Sequence, residues 1–266
     1  MKLSILGSGT SDGIPVLGCD CPVCRSGDRR DRRLRSSLLI RGAGGEQVVI
    51  DTGPEFRIQA LRAGIGRLDA VFLTHSHADH IHGMDDIRPL TRENPLPVYG
   101  NRETIDELRE RFSYVFRETQ RGGGKPRLLP TVAGAGPITI GGLRFSPIPV
   151  IHGALSILGW RVDEGPAAAV YLTDTSEIPA SSRPLIGRPG VLIIGGLRTQ
   201  PHPTHFNFEQ ALDAAAQTGA PRSFLTHICH DHSHRDIVKY CGNYREQHGL
   251  GSAVMEPAYD RLELDL

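Results

Sequence analysis

Four side chains that suit divalent metals, His75, His77, Asp79 and His80, fall within one short stretch, Thr74-His75-Ser76-His77-Ala78-Asp79-His80-Ile81-His82. Burying four such groups without a partner would be costly, and neutral imidazole and carboxylate are the ligands that transition metals take in hydrolytic sites. A lone histidine in a polar loop needs no cation; this spacing does. The apolar run Leu68-Asp69-Ala70-Val71-Phe72-Leu73 ahead of it reads as a buried strand. The histidines therefore leave the strand's C-terminal end and begin a turn.

The same construction recurs. Pro147 to Ile151 runs into His152, Ala169 to Thr173 into Asp174, and Ser223 to Thr226 into His227, each a short apolar segment that stops at a metal-binding residue. Strand ends of this kind can converge on one edge of a sheet core, which favours a single dinuclear centre over several unrelated histidines.

In this His-x-His-x-Asp-His pattern, followed in order by His152, Asp174 and His227, the chain resembles the metallo-β-lactamase superfamily over nearly its whole length. The resemblance implies an α/β fold, a four-layer αβ/βα sandwich of two facing mixed β-sheets flanked by helices, with metals at one edge. It implies one ion held by His75, His77 and His152, a second held by Asp79, His80 and His227, and Asp174 bridging both. Mn2+ and Zn2+ both suit such ligands.

Cys19-Asp20-Cys21-Pro22-Val23-Cys24 sets three thiols too close to pair readily in a disulfide, yet able to wrap one Zn2+ that then lacks a fourth ligand. Here the resemblance narrows to the phosphodiesterase of the carbon-phosphorus lyase pathway and its relatives. Their matching cysteines bind a structural zinc together with a histidine three residues beyond the last active-site histidine. That position is His230, with the adjacent Cys229 as a competing candidate. The same alignment puts His205, in preference to His202, where the family has a histidine that assists the reaction without binding metal. Asp51, after the strand-like Gln47 to Ile50, sits where the family has an aspartate close to the metals, and is expected to orient a ligand.

With 266 residues, 39% of them hydrophobic, the chain has enough apolar mass for a large core, and one domain over residues 1–266 is expected. Lys plus Arg and Asp plus Glu both number 30, so the formal net charge is zero. Nothing global draws the protein to nucleic acid or to an anionic membrane. The chain starts on the strand-like Met1 to Leu6, has no long apolar segment, and is expected to be soluble and cytoplasmic. Five cysteines, an odd number, then point to metal-bound or free thiols. A homodimer is compatible with all of this.

Elsewhere the pattern calls for scaffold. Gly7 to Pro15 should form a tight loop with a structural role, lacking the spacing of a nucleotide-binding fingerprint. Arg29, Arg30, Arg32, Arg33 and Arg35, interrupted by Asp28 and Asp31, read as a solvated face. Ser37 to Ile40 and Gln47 to Ile50 read as a hairpin, and Arg57 to Ala63 as a helix. Asn101 to Gln120 reads as one amphipathic helix, with Thr104 and Glu107 as a capping box. Gly122 to Pro126 is a flexible connector. A helix from Phe208 to Gln217 should close at Gly219, and a terminal helix should run from Asp236 to His248, preceded by a surface turn over residues 231–234. His82 is not assigned as a ligand.

The expected function is dinuclear metal-dependent hydrolysis of a small, perhaps cyclic, phosphodiester or nucleotide by a metal-bridging hydroxide. His205, and Asp79 within the metal site, are the expected catalytic residues, His205 protonating the leaving oxygen. Rival readings share the fold: a transfer-RNA 3'-end endonuclease, a carbonyl-substrate hydrolase of β-lactamase, glyoxalase or thioesterase type, and a non-enzymatic cofactor-biosynthesis accessory protein. The last would be expected to lack some ligands, and here all seven are present.

Overall fold

Short apolar runs become strands, and the amphipathic segments between them become helices. The computed structural model describes residues 1–117 and 124–266. The first sheet contains β1 (Lys2–Gly7), β2 (Ser37–Arg41), β3 (Gln47–Ile50), β4 (Ala70–Phe72), β5 (Leu96–Gly100) and β6 (Leu128–Val132) in that spatial order. The second contains β7 (Ile138–Ile140), β8 (Leu143–His152), β9 (Leu155–Glu164), β10 (Ala167–Leu172), β11 (Val191–Gly195), β12 (Arg222–Thr226) and β13 (Val254–Pro257), again as successive neighbours. The last strand, β14 (Glu263–Asp265), returns to the first sheet beside β1, so each sheet has seven strands among the described residues. Both sheets are mixed: β2 and β3 form the expected hairpin, with Leu38 opposite Ile50, and β3 to β6 run parallel.

Three apolar layers explain why the central strands read as unbroken hydrophobic runs. Between the sheets, Leu3, Ile5, Ile40, Val48, Ile50 and Phe72 meet Phe145, Trp160, Tyr171, Ile193 and Phe224. Phe72 stacks on Phe145, ring centroids 4.0 Å apart, and takes the edge of Trp160 at 4.8 Å. On the outer face of the first sheet, Val49, Val71 and Val98 pack against Phe56 of α1 (Phe56–Arg62) and, among later helices, Ile105 and Leu108. On the outer face of the second, Val170, Leu192 and Ile194 pack against two helices described below, through Phe208, Leu212, Ile237 and Cys241. Helix, sheet, sheet, helix is the four-layer sandwich that the family resemblance implies.

The helices follow local chemistry, with three corrections. A single turn, α2 (Ala78–Ile81), carries the middle of the histidine motif. The segment expected as one helix from Asn101 to Gln120 is α3 (Arg102–Arg111) and α4 (Ser113–Phe116), broken at Phe112; Glu118, Thr119 and Gln120 lie outside the described residues. Its cap is not Thr104 but Asn101, whose side-chain oxygen accepts from the Thr104 N–H at 2.8 Å. Of the expected flexible connector, Gly122 and Gly123 also lie outside the described residues. After the short α5 (Arg183–Ile186), α6 (Phe208–Thr218) ends at Gly219, whose φ of 65° is the left-handed cap that glycine favours. The terminal helix α7 (His234–Gln247) starts earlier than expected, because Ser233 and Asp236 form a capping box. His234 is thus buried rather than in a surface turn. No helix among the described residues is long and apolar enough to cross a membrane.

A further expectation fails at the arginine run. Arg33 is fully buried, not part of a solvated face, while Arg29, Arg30 and Arg32 do stay at the surface or partly so. Its place is taken up below.

Candidate metal centre

Five strand ends build one edge of the sandwich. β3 is followed by Asp51, β4 by Leu73-Thr74-His75, β8 ends at His152, β10 is followed by Thr173-Asp174, and β12 by His227. Because β3 and β4 are parallel, and β10, β11 and β12 are parallel, these ends point the same way in each sheet. The two sheets are tied at this edge: Trp160 Nε1 donates to the Leu73 carbonyl at 3.1 Å, and the Leu158 N–H donates to the Thr74 carbonyl at 3.0 Å. The inter-sheet core thereby fixes the backbone that launches His75.

Three of these terminal residues leave their strands in the left-handed region, Asp51 at φ 62°, Asp174 at 52° and His227 at 57°. Asp and His tolerate that region better than branched residues do, yet it still costs on the order of 1–3 kcal/mol and persists only where surroundings enforce it. The turn swings each side chain back over the sheet edge.

The donor atoms gather in two main sets, and a third, His152, Asp174 and His205, overlaps both. Those of His75, His77 and His152 lie within 4.8 Å of one another, as do those of Asp79, His80, Asp174 and His227. Asp174 stands between members of both sheets, with Oδ2 3.2 Å from His80 Nε2 and Oδ1 3.1 Å from His227 Nε2. All are buried except His77, which faces solvent.

Behind the donors, each imidazole is held by its other nitrogen. Thr74 Oγ1 donates to Asp51 Oδ2 at 2.8 Å and so accepts from His75 Nδ1 at 3.0 Å. His80 Nδ1 donates to the same Asp51 carboxylate at 2.8 Å, and His152 Nδ1 to the Thr204 carbonyl at 2.7 Å. Nε2 of all three is thereby turned toward the pocket, the nitrogen that a metal would take in place of a proton. His75 Nε2 and His80 Nε2 are buried without a hydrogen-bond partner among the described residues. Orphaned ring nitrogens facing two carboxylates fit divalent cations well.

Charge in the pocket says the same. Burial opposes a proton on His80, but Asp79, Asp174 and Asp51 outweigh it and hold the imidazole well above its usual range. Burial likewise opposes charge on Asp174 and Asp79, yet the neighbouring histidines, His227 and His80 for Asp174 and His80 and His227 for Asp79, keep both carboxyls well below the usual range. His75 moves down, first through burial and then through repulsion from His80. A cation at Nε2 would take the place of the proton that these carboxylates hold on His80.

Close backbone approach completes the wall. The Thr52 N–H donates to the His80 carbonyl at 2.7 Å, and a Cβ on Gly53 would sit 2.3 Å from the Asp79 carbonyl oxygen. Only glycine lets these two segments meet.

His205 lies at the rim. Its ring is 4.7 Å from that of His152 and stacks on His227 at 4.8 Å, with Nδ1 3.8 Å from Asp174 Oδ1. Burial, followed by repulsion from His227, pushes its pKa down to about 3. His202 is one ring further out, 5.1 Å from His205, with Nδ1 close to the Thr204 hydroxyl at 3.2 Å. His82 is exposed and faces Phe112, away from both donor sets.

A second cluster lies beside the first. Sγ of Cys19, Cys21 and Cys24 are 3.4, 3.6 and 3.4 Å from Nδ1 of His230. The Cys24 N–H donates to Cys21 Sγ and, as the largest influence, helps draw that thiol down to about 6; burial pushes Cys24 up to about 11. Three sulfurs and one nitrogen are a complete tetrahedral donor set for Zn2+. Cys229 stays out of this set, its thiol buried and raised to about 11 by that burial.

Sequence reasoning assigned no role to Thr74, Gly53, Thr204 or Arg33. Thr74 was the most readable, being a hydroxyl between a strand and a ligand. The other three act through partners remote in the chain, and nothing local announces them.

A model of the beta-lactamase superfamily domain matches residues 46–228. The solved structure of a diphosphatase from the PhnP family superposes with a TM-score of 0.85 at 38% identity, covering 100% of this chain and 97% of that one. The octanoyltransferase of Porphyromonas gingivalis is 42% identical over 231 residues, which are 86% of this chain but only 46% of that protein's length. Zn2+-bound PqqB from Methylobacterium extorquens shares the fold, with a TM-score of 0.79 at 17% identity over the whole of both chains.

Proposed function

Because the chain belongs to the metallo-β-lactamase superfamily, and within it to the PhnP family, we propose that it is a metal-dependent hydrolase of small phosphodiesters, cyclic or nucleotide-like ones included. The observation that carries the reading is His205, held against His152 and His227 at the rim of the centre, where two complete donor sets, His75, His77 and His152 and Asp79, His80, Asp174 and His227, form without it. His75, His77 and His152 would hold one ion, Asp79, His80 and His227 the other, with Asp174 between them. Mn2+ and Zn2+ both fit these donors. The ions would supply a water-derived nucleophile near neutral pH and neutralise phosphoryl oxygens as charge develops.

This chain's own residues do the rest. Asp51 and Thr74 orient His80 and His75, and the Thr204 carbonyl orients His152. His205 donates a proton to the departing oxygen. Depressed to about 3, it stands neutral at pH 7 until the anionic phosphoryl group arrives and raises it. Proton donation matters most for an alkoxide, the poorest leaving group in this class. Cys19, Cys21, Cys24 and His230 would hold a structural Zn2+ that takes no part in the reaction.

A disubstituted diphosphate is the second reading, favoured by the diphosphatase likeness at 38% identity. Its scissile phosphorus also carries one negative charge, but its leaving group is a phosphate that needs little help from His205. Octanoyl transfer is not brought to this chain, since more than half of that relative's length lies outside the match.

The test is hydrolysis of bis(p-nitrophenyl) phosphate, 2',3'-cyclic nucleotides and a dinucleoside diphosphate by metal-free protein reconstituted with Mn2+ or Zn2+, with His75→Ala as the blank. Metal-dependent cleavage of a diester supports the reading. Full metal loading with turnover of esters or lactams alone would overturn it.

A further inference from the structure

We infer that Arg33 is a positioning residue for the metal centre: its buried guanidinium clamps the turn that follows His227 and keeps that histidine turned toward Asp79 and Asp174. The inference rests on reading Asp79, His80 and His227 as metal ligands. Arg33 has no solvent exposure. Nη1 donates to the Cys229 carbonyl at 2.7 Å, while Nη2 donates to the His232 carbonyl at 3.1 Å and faces Asp31 Oδ1 at 3.3 Å. The same Asp31 oxygen accepts the His234 N–H at 2.6 Å, and Ser26 Oγ donates to the other oxygen at 2.6 Å. A charged group is costly to bury, and burial pulls the Arg33 pKa down. The fork is spent on carbonyls that lie two and five residues beyond His227.

Those carbonyls belong to a segment with few supports of its own. Between the end of β12 at Thr226 and the start of α7 at His234, the chain has no regular structure beyond a bridge at Ile228. The Ile228 N–H donates to the Ser8 carbonyl at 3.0 Å, and its carbonyl accepts the Thr10 N–H at 3.1 Å. His230 is fixed by the three thiols. Most of the anchors between residues 228 and 234 thus come from the first 33 residues. His227 itself needs such enforcement, because its φ of 57° is unfavourable for a residue with a side chain. Arg33 supplies a direct charge-assisted link from that N-terminal segment to both sides of His230, at the Cys229 and His232 carbonyls.

Arg33→Met removes the fork while keeping length and apolar bulk. The probe is Mn2+, which the thiol cluster should reject, titrated into protein that keeps its cysteine-bound Zn2+ and counted by the resonance signal of the free ion. Wild type is expected to take up two Mn2+. The variant should bind one as before and the other about tenfold or more weakly, as loss of supporting hydrogen bonds does at other metal sites. Two Mn2+ at unchanged affinities, with only a lowered Tm, would overturn the inference and leave Arg33 a general structural residue. If Arg33→Met does not fold, Arg33→Lys serves, since an ammonium cannot bridge both carbonyls. The same split is expected there, and an unchanged second affinity again overturns it. Wild type that binds fewer than two Mn2+ would sink the metal reading itself, a failure visible before any variant is made.

Discussion

Asp51 and His80 are joined by a 2.8 Å hydrogen bond between two side chains with no solvent exposure, the carboxylate Oδ2 facing the imidazole Nδ1. Asp51 also accepts the N–H and hydroxyl of Thr74, each at 2.8 Å, so one carboxylate orients two of the candidate ligands.

Asp51→Ala should therefore weaken metal binding without touching a ligand. Loss of such a partner typically costs about 10–100-fold in affinity. The freed donors of Thr74 and His80 should also cost on the order of 1–3 kcal/mol each in stability. Metal titration and thermal melts of the metal-free protein separate the two effects. An Asp51→Ala protein with wild-type affinity for both ions would remove the proposed role.

His205→Ala should lower kcat by about 10²- to 10⁴-fold on a diester with an alkoxide leaving group. Metal content should stay full, since the sets of His75, His77 and His152 and of Asp79, His80, Asp174 and His227 are complete without His205; loss of an ion would instead make it a ligand beside His152 and Asp174. With p-nitrophenolate as leaving group the loss should shrink. Equal losses on both substrates would argue for a positioning role instead.

Stripping the histidine and carboxylate centre with a chelator should abolish turnover and lower Tm, and added Mn2+ or Zn2+ should restore both. An ion that binds only the folded chain stabilises it by about 2.7 kcal/mol when present at 100 times its Kd. The cysteine cluster, closed by four protein donors, should release its ion more slowly. A Tm that does not move on stepwise metal addition in differential scanning measurements would show that no centre of this kind exists.

Asp260 gives a pH signature away from the metals. Burial raises its carboxyl from 3.8 to about 6, against the opposing bonds from the Leu34 N–H at 2.9 Å and from the Ser8 hydroxyl and N–H at 2.9 and 3.0 Å. Between those two values the folded chain keeps a proton that the unfolded chain has lost. Its contribution to stability is full below about pH 4 and disappears as pH rises through 6, some ~3 kcal/mol at roughly 1.4 kcal/mol per unit. Asp260→Asn should remove this slope, so the stability difference between variant and wild type should change across pH 4 to 6 and be flat above 7. Parallel curves from urea melts over that range would contradict the raised carboxyl.

Much of this centre is legible in the chain because its logic is local. A strand reveals itself as an apolar run, and His75, His152, Asp174 and His227 each sit where such a run stops. Parallel pairing then brings the stops to one edge, a step that needs only the general rules of sheets. What stayed hidden acts at a distance. Arg33 lies among solvated arginines in sequence, and its carbonyl partners are 196 and 199 residues away. The break at Phe112 leaves no mark in the helical spacing, and the cap is Asn101, one of several polar residues competent for it, rather than Thr104. His234 looked like part of a polar turn until the Ser233 and Asp236 cap drew it inward.

The three left-handed strand exits, at Asp51, Asp174 and His227, have a consequence for how such a protein can change. Glycine would relax the backbone at each of them, but it would delete the carboxylate or the imidazole in the same stroke. Bulkier replacements would meet both penalties at once. Variation that alters substrate preference is thus pressed outward, onto the rim residues and loops, while the edge itself stays locked in evolutionary terms.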